Sequence, residues 1–292
     1  MSVTTESSST LVWFITGTSS GMGNCLVRSV LARGDKVIAT ARFLHTIQDF
    51  PKSENIRLMQ LDVTDGFEKM KEKVAEAVQQ FGRIDVVVNN AGIAVRSLLE
   101  EGGSQQCREQ FETNVFGVLD VTSAVLPYMR ERRSGTVVLL GSRSSWKADI
   151  PVEGFYSASK AAVRVLGETL SVELKEFNIR VLVVEPGAFR TKNIFSRPFY
   201  EGNKIADYDA LREHAEGLYT KADGHQPGDP VKAMDVVVDV VQGQGRARGK
   251  RWPTILPLGM EAEQAIRNKS EVMQEMLDDW KDIIRDTRLD ES

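Results

Sequence analysis

Cysteine is scarce in this chain. Cys25 and Cys107 are the only two among 292 residues, and neither falls in a Cys-x-x-Cys or Cys/His cluster. This argues against a disulfide framework or a zinc site and favours a reducing, cytoplasmic setting. Histidine is as sparse: His45, His214 and His225 are scattered, and no metal centre is expected from them. Long apolar runs are missing too. None approaches the ~20 residues that a membrane helix needs, so no membrane span is expected. Residues 1–10 lack a basic start and an apolar core, and read as a disordered lead-in rather than a secretory signal. An excess of one charge is also absent. Charged residues make up 27%, yet the net charge is only -4. Nothing here points electrostatically to nucleic acid or an anionic membrane as partner.

Hydrophobic residues make up 41% of the chain, enough for one large core. Short β-branched runs alternate with longer amphipathic segments. The runs are Leu11–Thr16, Val37–Ala41, Arg57–Leu61, Ile84–Asn89, Thr136–Gly141 and Arg180–Val184. Several are continuously apolar, as in a parallel sheet covered on both faces. Between them, Phe111 to Met129 carries a helical stripe. This alternation predicts an α/β fold with a doubly wound parallel sheet, Rossmann-like. After Thr191 the periodicity fades. Residues 192–230 read as a lid-like excursion with a short helix or two. Val231–Val241 then reads as a helix, Trp252–Leu258 as a short strand and Glu261–Arg285 as helical. Residues 11–292 are expected to form a single domain, with the lid inserted near its C-terminal end.

Thr16-Gly17-Thr18-Ser19-Ser20-Gly21-Met22-Gly23 directly follows the first strand and opens a helix. Glycines there let the backbone turn sharply and approach a pyrophosphate, while the helix N-terminus offers free N–H groups. A plain glycine-rich turn is the alternative, but the strand–turn–helix context favours a dinucleotide. An NAD site usually sets a carboxylate at the end of the second strand. Here that strand ends Ala39-Thr40-Ala41-Arg42, with no acid and with a guanidinium placed to grip a 2′-phosphate. NADP(H) is therefore the expected cofactor, against the plainer reading of Arg42 as a solvated surface cation. Further on, Tyr156-Ser157-Ala158-Ser159-Lys160 sets a tyrosine and a lysine four residues apart, on one helix face. A phenol of ordinary pKa ~10 is a poor acid or base at neutral pH, and a nearby ammonium makes it a better one. Tyr156 thus reads as proton donor to a carbonyl, or proton acceptor in reverse.

The Thr-Gly-x-x-x-Gly-x-Gly spacing, Asn89-Asn90-Ala91-Gly92 after the fourth strand and the Tyr-x-x-x-Lys pair, in that order, resemble the short-chain dehydrogenase/reductase family in its compact single-domain form. The resemblance covers about the first 191 residues. It implies that Gly17, Thr18, Ser19, Ser20, Gly21 and Met22 cradle the cofactor. It has Asp62 and Val63 contact the adenine (Asp62 reads equally as a helix N-cap). Asn90, Ala91 and Gly92 would line the cofactor, Pro186, Gly187 and Phe189 would pack over the nicotinamide, and Thr191 would bond the carboxamide. It adds Asn114 as the residue that kinks its helix and helps hold a proton-relay water. It also asks for a serine at the end of the fifth strand to bond the substrate carbonyl. Here the chain departs from the pattern. Counting back from Tyr156 lands on Arg143, whereas counting forward from Gly135 lands on Ser142; Ser142 is chosen, with Ser144 as competitor.

The implied activity is hydride transfer between NADP(H) and a ketone or secondary alcohol. The alternatives are the oxidative direction, a redox-neutral isomerisation, or a non-catalytic NADP-binding sensor. Loop residues Phe195, Phe199, Tyr200, Tyr208, Leu211, Leu218 and Tyr219 either roof an apolar pocket or simply pack helices. Lys147, Lys192, Arg197 and His214 either meet an acidic group of the substrate or are solvated. The substrate expected is a medium-sized, mostly apolar small-molecule carbonyl compound or alcohol. By resemblance, a homodimer or homotetramer is expected, built on the helices around Phe111–Met129 and after Tyr156.

Overall fold

A computed structural model describes residues 10–191 and 197–289. Seven strands form one parallel sheet: β1 (Val12–Ile15), β2 (Lys36–Ala41), β3 (Ile56–Gln60), β4 (Val86–Asn89), β5 (Gly135–Leu140), β6 (Ile179–Pro186) and β7 (Ile255–Leu258). The helices in chain order are α1 (Gly21–Ala32), α2 (Phe67–Phe81), α3 (Leu99–Phe111), α4 (Gly117–Arg132), α5 (Gly154–Glu173), α6 (Asp209–Ala222), α7 (Pro230–Gln242), α8 (Met260–Asp279) and α9 (Lys281–Arg285). Each run read as a strand forms one, with its ends slightly shifted.

The apolar runs are buried on both faces because the sheet separates two cores. Trp13 and Ile15 of β1 point into one, shared with Val27 and Val30 of α1 and Met234 and Val237 of α7. Val12 and Phe14 point into the other, shared with Met70 and Val74 of α2, Val121 and Val125 of α4 and Val163 of α5. All four β1 residues are consequently buried, which is why the strand shows no polar alternation. The edge strand β7 tolerates Pro257, whose missing N–H is harmless there.

The strand order is β3-β2-β1-β4-β5-β6-β7. Chain direction across the sheet reverses between the neighbours β1 and β4. A crevice opens there beyond the strands' carboxyl ends, the usual ligand position in such sheets.

Three elements differ from the sequence reading. The stripe over Phe111–Met129 is not one helix. α3 stops at Phe111, a π turn covers Glu112–Phe116 and α4 starts at Gly117. The excursion holds more order than its faded periodicity suggests, because α6 is a full helix of 14 residues. Arg212 of α6 and Glu101 of α3, both buried, form an ion pair, and the Ile205 N–H also donates to Glu101 Oε1 at 2.9 Å. The C-terminal helical stretch is split into α8 and α9, and Met273, Met276, Leu277, Trp280 and Ile283 are exposed on them. No described helix is long and apolar enough to cross a membrane.

Candidate active site

The glycine loop sits at the mouth of the crevice. Gly17 has φ +68° and Gly21 φ +59°, a left-handed backbone that a side chain would strain. Space is as restrictive as torsion: a Cβ on Gly17 would lie 2.7 Å from Ala91 Cα. Gly23 packs on the Asn90 amide and leaves no room for a methyl group. Asn90 Nδ2 donates to the carbonyls of Thr16 and Gly17 at 2.8 Å each, and Thr16 Oγ1 accepts from the N–H groups of Asn90 and Ala91 at 3.0 Å. Two motifs that lie 73 residues apart are thereby locked into one surface. Thr191, after β6, closes the far side, 3.6 Å from where a Gly21 Cβ would be.

The donor set fits a dinucleotide phosphate. The N-cap residue Ser20 makes no side-chain cap bond, and no acidic residue lies in the first turn of α1. The first-turn N–H groups therefore face the crevice with the positive end of the helix dipole unopposed. Ser19 is exposed, and Ser20, Gly21 and Met22 are partly so. Arg42 is exposed just beyond β2, its guanidinium carbon 5.9 Å from the Phe43 ring centre.

Some expected contacts are committed elsewhere. The Thr18 N–H and hydroxyl both donate to the Thr40 carbonyl, at 2.9 and 3.1 Å, so Thr18 shapes the loop without offering a donor to a ligand. Phe189 is buried in the core shared with α1 and α7. Pro186 ends β6, and the Gly187 N–H donates to the Leu258 carbonyl at 2.8 Å. Asp62 is not a helix cap, since α2 is capped by Gly66. Its Oδ1 instead accepts from the N–H and hydroxyl of Thr64, at 3.0 and 2.8 Å, and Val63 beside it is buried against Gly117.

The tyrosine and lysine sit on α5, one turn apart. Lys160 Nζ lies 5.8 Å from the Tyr156 ring centre and donates to the Leu140 carbonyl at 2.6 Å. The Ser142 side chain approaches the Tyr156 hydroxyl closely enough to lower its pKa. Ser144 turns away, donating to Glu153 Oε2 at 3.4 Å. Geometry therefore sets Ser142, and not Ser144, beside the phenol. Asn114 falls in the π turn, a helix defect common at functional sites. Its amide pairs with both the N–H and carbonyl of Ile93, at 2.8 and 3.0 Å, and donates to Ser159 Oγ at 3.2 Å. Gly92 faces Asn114 Oδ1 and Lys160 Nζ, 3.4 and 3.8 Å from where a Cβ would be.

Burial dominates the electrostatics. It lowers the Lys160 pKa from 10.5 to about 8. It also raises that of Tyr156 from 10.0 to about 12; the Ser142 side chain opposes this, and the Glu153 carboxylate adds to it. Glu153 accepts from the Tyr219 hydroxyl of α6 at 2.6 Å, so α6 reaches the Tyr156 side of α5 through one carboxylate. Motif reading gave Glu153 no role. Its only sequence signal is its place three residues before Tyr156.

A cavity of about 880 Å³ lies outside Tyr219, lined by Val95, Arg96, Phe199, Tyr200, Tyr219 and Glu216 among others. Glu109, Arg197, Glu201 and Asp223 also line the cavity, so it is not the apolar pocket of the first reading, whereas the packing reading holds for some of the aromatics. Phe199 and Tyr219 line this cavity, and with Tyr208 they also pack a small separate core. Leu211, Leu218 and His214 are exposed. Lys147 pairs with Asp149, and Arg197 with Glu109. Phe195 and Lys192 lie outside the described residues.

The comparisons with known proteins agree with this geometry. The short chain dehydrogenase family profile matches residues 11–197. An oxidoreductase of Botryotinia fuckeliana is 31% identical over 287 residues, spanning 94% of this chain and 98% of its own. A 3-ketodihydrosphingosine reductase of Bacteroides thetaiotaomicron is 38% identical over 180 residues, 61% of this chain and 63% of its own. Among solved structures, a short-chain dehydrogenase from Streptomyces avermitilis superposes with a TM-score of 0.83 at 34% identity, covering 96% of this chain and 100% of its own. The chain belongs to the short-chain dehydrogenase family and is an oxidoreductase.

Proposed function

We propose that the protein reduces a medium-sized, mostly apolar ketone or aldehyde using NADPH, with Tyr156 as the acid. The observation that carries this reading is the convergence of the Tyr156 hydroxyl, Ser142 and Lys160 at the crevice bordered by the glycine loop. When bound, the nicotinamide supplies the hydride. The loop Gly17–Met22, shaped by Thr18, and the first turn of α1 would hold the pyrophosphate, Arg42 the 2′-phosphate, and Asp62 and Val63 the adenine side. Asn90, Ala91, Gly92, Gly187 and Thr191 border the ring side of the same groove, supported by Pro186 and Phe189.

Ser142 accepts from the Ser144 N–H at 3.1 Å, which leaves its own proton available to donate. That proton bonds the carbonyl oxygen of the substrate and holds it next to the phenol. Tyr156 then gives its proton to the same oxygen as negative charge develops there. Lys160, charged below about pH 8, stabilises the resulting tyrosinate. Asn114 fixes the Ile93 backbone and with it the floor of the site.

The reductive direction is favoured by relatives whose names describe ketone reduction: the 3-ketodihydrosphingosine reductase above and a levodione reductase of 25% identity and TM-score 0.68. NADP(H) is favoured by Arg42 and by a serine dehydrogenase of 25% identity and TM-score 0.65, solved with NADP+. Phe199, Tyr200 and Tyr219 offer aromatic surface to an apolar part of the substrate, in a lining that also carries Arg96, Glu109, Arg197 and Glu216. Exposed Phe116, just before α4, and Val165 and Val172 of α5 support a homodimer or homotetramer through these two segments. Two unpaired cysteines support a reducing, cytoplasmic location.

The test is a panel of ketones and aldehydes assayed for NADPH and NADH oxidation. The reading expects turnover of apolar ketones with NADPH at least tenfold above NADH. Tight NADPH binding with no carbonyl reduced, and turnover of alcohols with NADP+ instead, would replace it with the oxidative reading.

A further inference from the structure

Past the exposed Arg180, β6 is apolar and buried, with one charged residue near its end. Glu185 is a carboxylate with no exposed surface, between Val184 and Pro186. Burying a charge there is costly unless it is hydrogen-bonded, and burial does push its pKa up. Two side chains of the next loop meet it: the Ser145 hydroxyl donates to Oε1 at 2.6 Å, and the Trp146 indole N–H donates to Oε2. The charged side chains facing it from α5 are Arg164 and Glu168, and Arg164 also covers the Trp146 ring at 4.3 Å.

The loop held this way is the one that carries Ser142. It is a tight turn over Arg143–Ser145. The Ser145 N–H donates to the Ser142 carbonyl at 3.0 Å, and the Trp146 N–H to the Arg143 carbonyl at 2.9 Å. The Ser144 N–H donates to Ser142 Oγ at 3.1 Å. The backbone bonds that hold the Ser142 turn therefore belong to a unit whose far end is pinned by Glu185.

We propose that Glu185 is a positioning residue for the reaction: its carboxylate, bonded to Ser145 and Trp146, holds the Ser142 turn so that the serine hydroxyl meets the substrate carbonyl. Glu185 touches neither substrate nor cofactor. An apolar residue would fill the same space but would leave the two donors without their acceptor and the turn free to rock. Misplacing a catalytic group by about 1 Å costs on the order of 100-fold in rate.

The proposal rests on Ser142 and Tyr156 being the catalytic pair, and a double-mutant cycle separates the two claims. Glu185→Gln keeps the shape but turns an amide N–H₂ toward one of the two donors. Its kcat for carbonyl reduction should fall 10- to 100-fold, with the Kd for NADPH unchanged. In a Ser142→Ala background the same substitution should change kcat less than threefold, because the group it positions is gone. If Ser142→Ala alone keeps wild-type kcat, the reading of the site fails. If Ser142→Ala is impaired while Glu185→Gln is not, or if the two losses simply multiply, Glu185 has no positioning role. Should Glu185→Gln fail to fold, Ser145→Ala carries the same cycle, since it removes one donor and leaves the carboxylate its indole partner.

Discussion

Reversing the charge of Arg42 changes what meets the adenosine ribose. We predict that Arg42→Asp lowers NADPH affinity roughly 10- to 100-fold, the worth of one charge-assisted phosphate contact, and raises NADH affinity. Fluorescence titration with both nucleotides checks this. Lys160 yields a prediction of opposite character. Its pKa falls from 10.5 to about 8 on burial, a cost of about 3 kcal/mol to the folded state at neutral pH. The folded protein sheds this proton first as pH rises, so the unfolded chain binds more protons between about pH 8 and 10.5. Stability of the cofactor-free protein should rise across that window. Lys160→Met should raise Tm at pH 7, flatten the rise and abolish reduction; differential scanning calorimetry against pH reads all but the last. Wild-type reduction should also decline as pH passes about 8, where Lys160 loses its charge.

At this scale legibility was uneven. The glycine loop, Asn90, Tyr156 and Lys160 carry local signatures because each role demands a particular residue type at a fixed spacing. The choice between Ser142 and Ser144 stayed open, since it depends on which way a short turn points its hydroxyls. Thr18 sits inside the motif yet serves the loop's own backbone. The partners of Glu153 and Glu185 come from 66 and 40 residues away, so no local pattern reveals them.

At the scale of elements, the strands could be read because burial on both faces leaves an unbroken apolar run. The π turn at Glu112–Phe116 was legible only through the resemblance, as a kink at Asn114, because a one-residue slip in helical pairing does not disturb an apolar stripe. The order of the segment that holds α6 could not be read. α6 is held by tertiary bonds, above all the buried Glu101–Arg212 pair. Arg212→Met should strand a buried carboxylate and cost on the order of 3 kcal/mol. The loss should be concentrated in α6, so hydrogen exchange of α6 amides should quicken by at least tenfold while β1 and β4 stay protected. Uniform exchange throughout would show that α6 is not held separately. Gly17→Ala sets a Cβ at φ +68° and against Ala91. It should weaken NADPH binding more than tenfold in the same titration.

For the whole molecule, one sheet brings loops from distant parts of the sequence to a single edge. The glycine loop follows β1, Asn90 follows β4, Ser142 follows β5 and Thr191 follows β6, all at carboxyl ends. Parallel strand order alone makes this convergence possible. The central claim is that Tyr156 delivers a proton to a carbonyl in that groove. Its most direct test is single-turnover NADPH oxidation by wild type and Tyr156→Phe with the best ketone of the panel. The account predicts that the variant binds NADPH with unchanged Kd and transfers hydride at least 1,000-fold more slowly. A variant that keeps both the binding and the rate would contradict it, and would move the acid to another group.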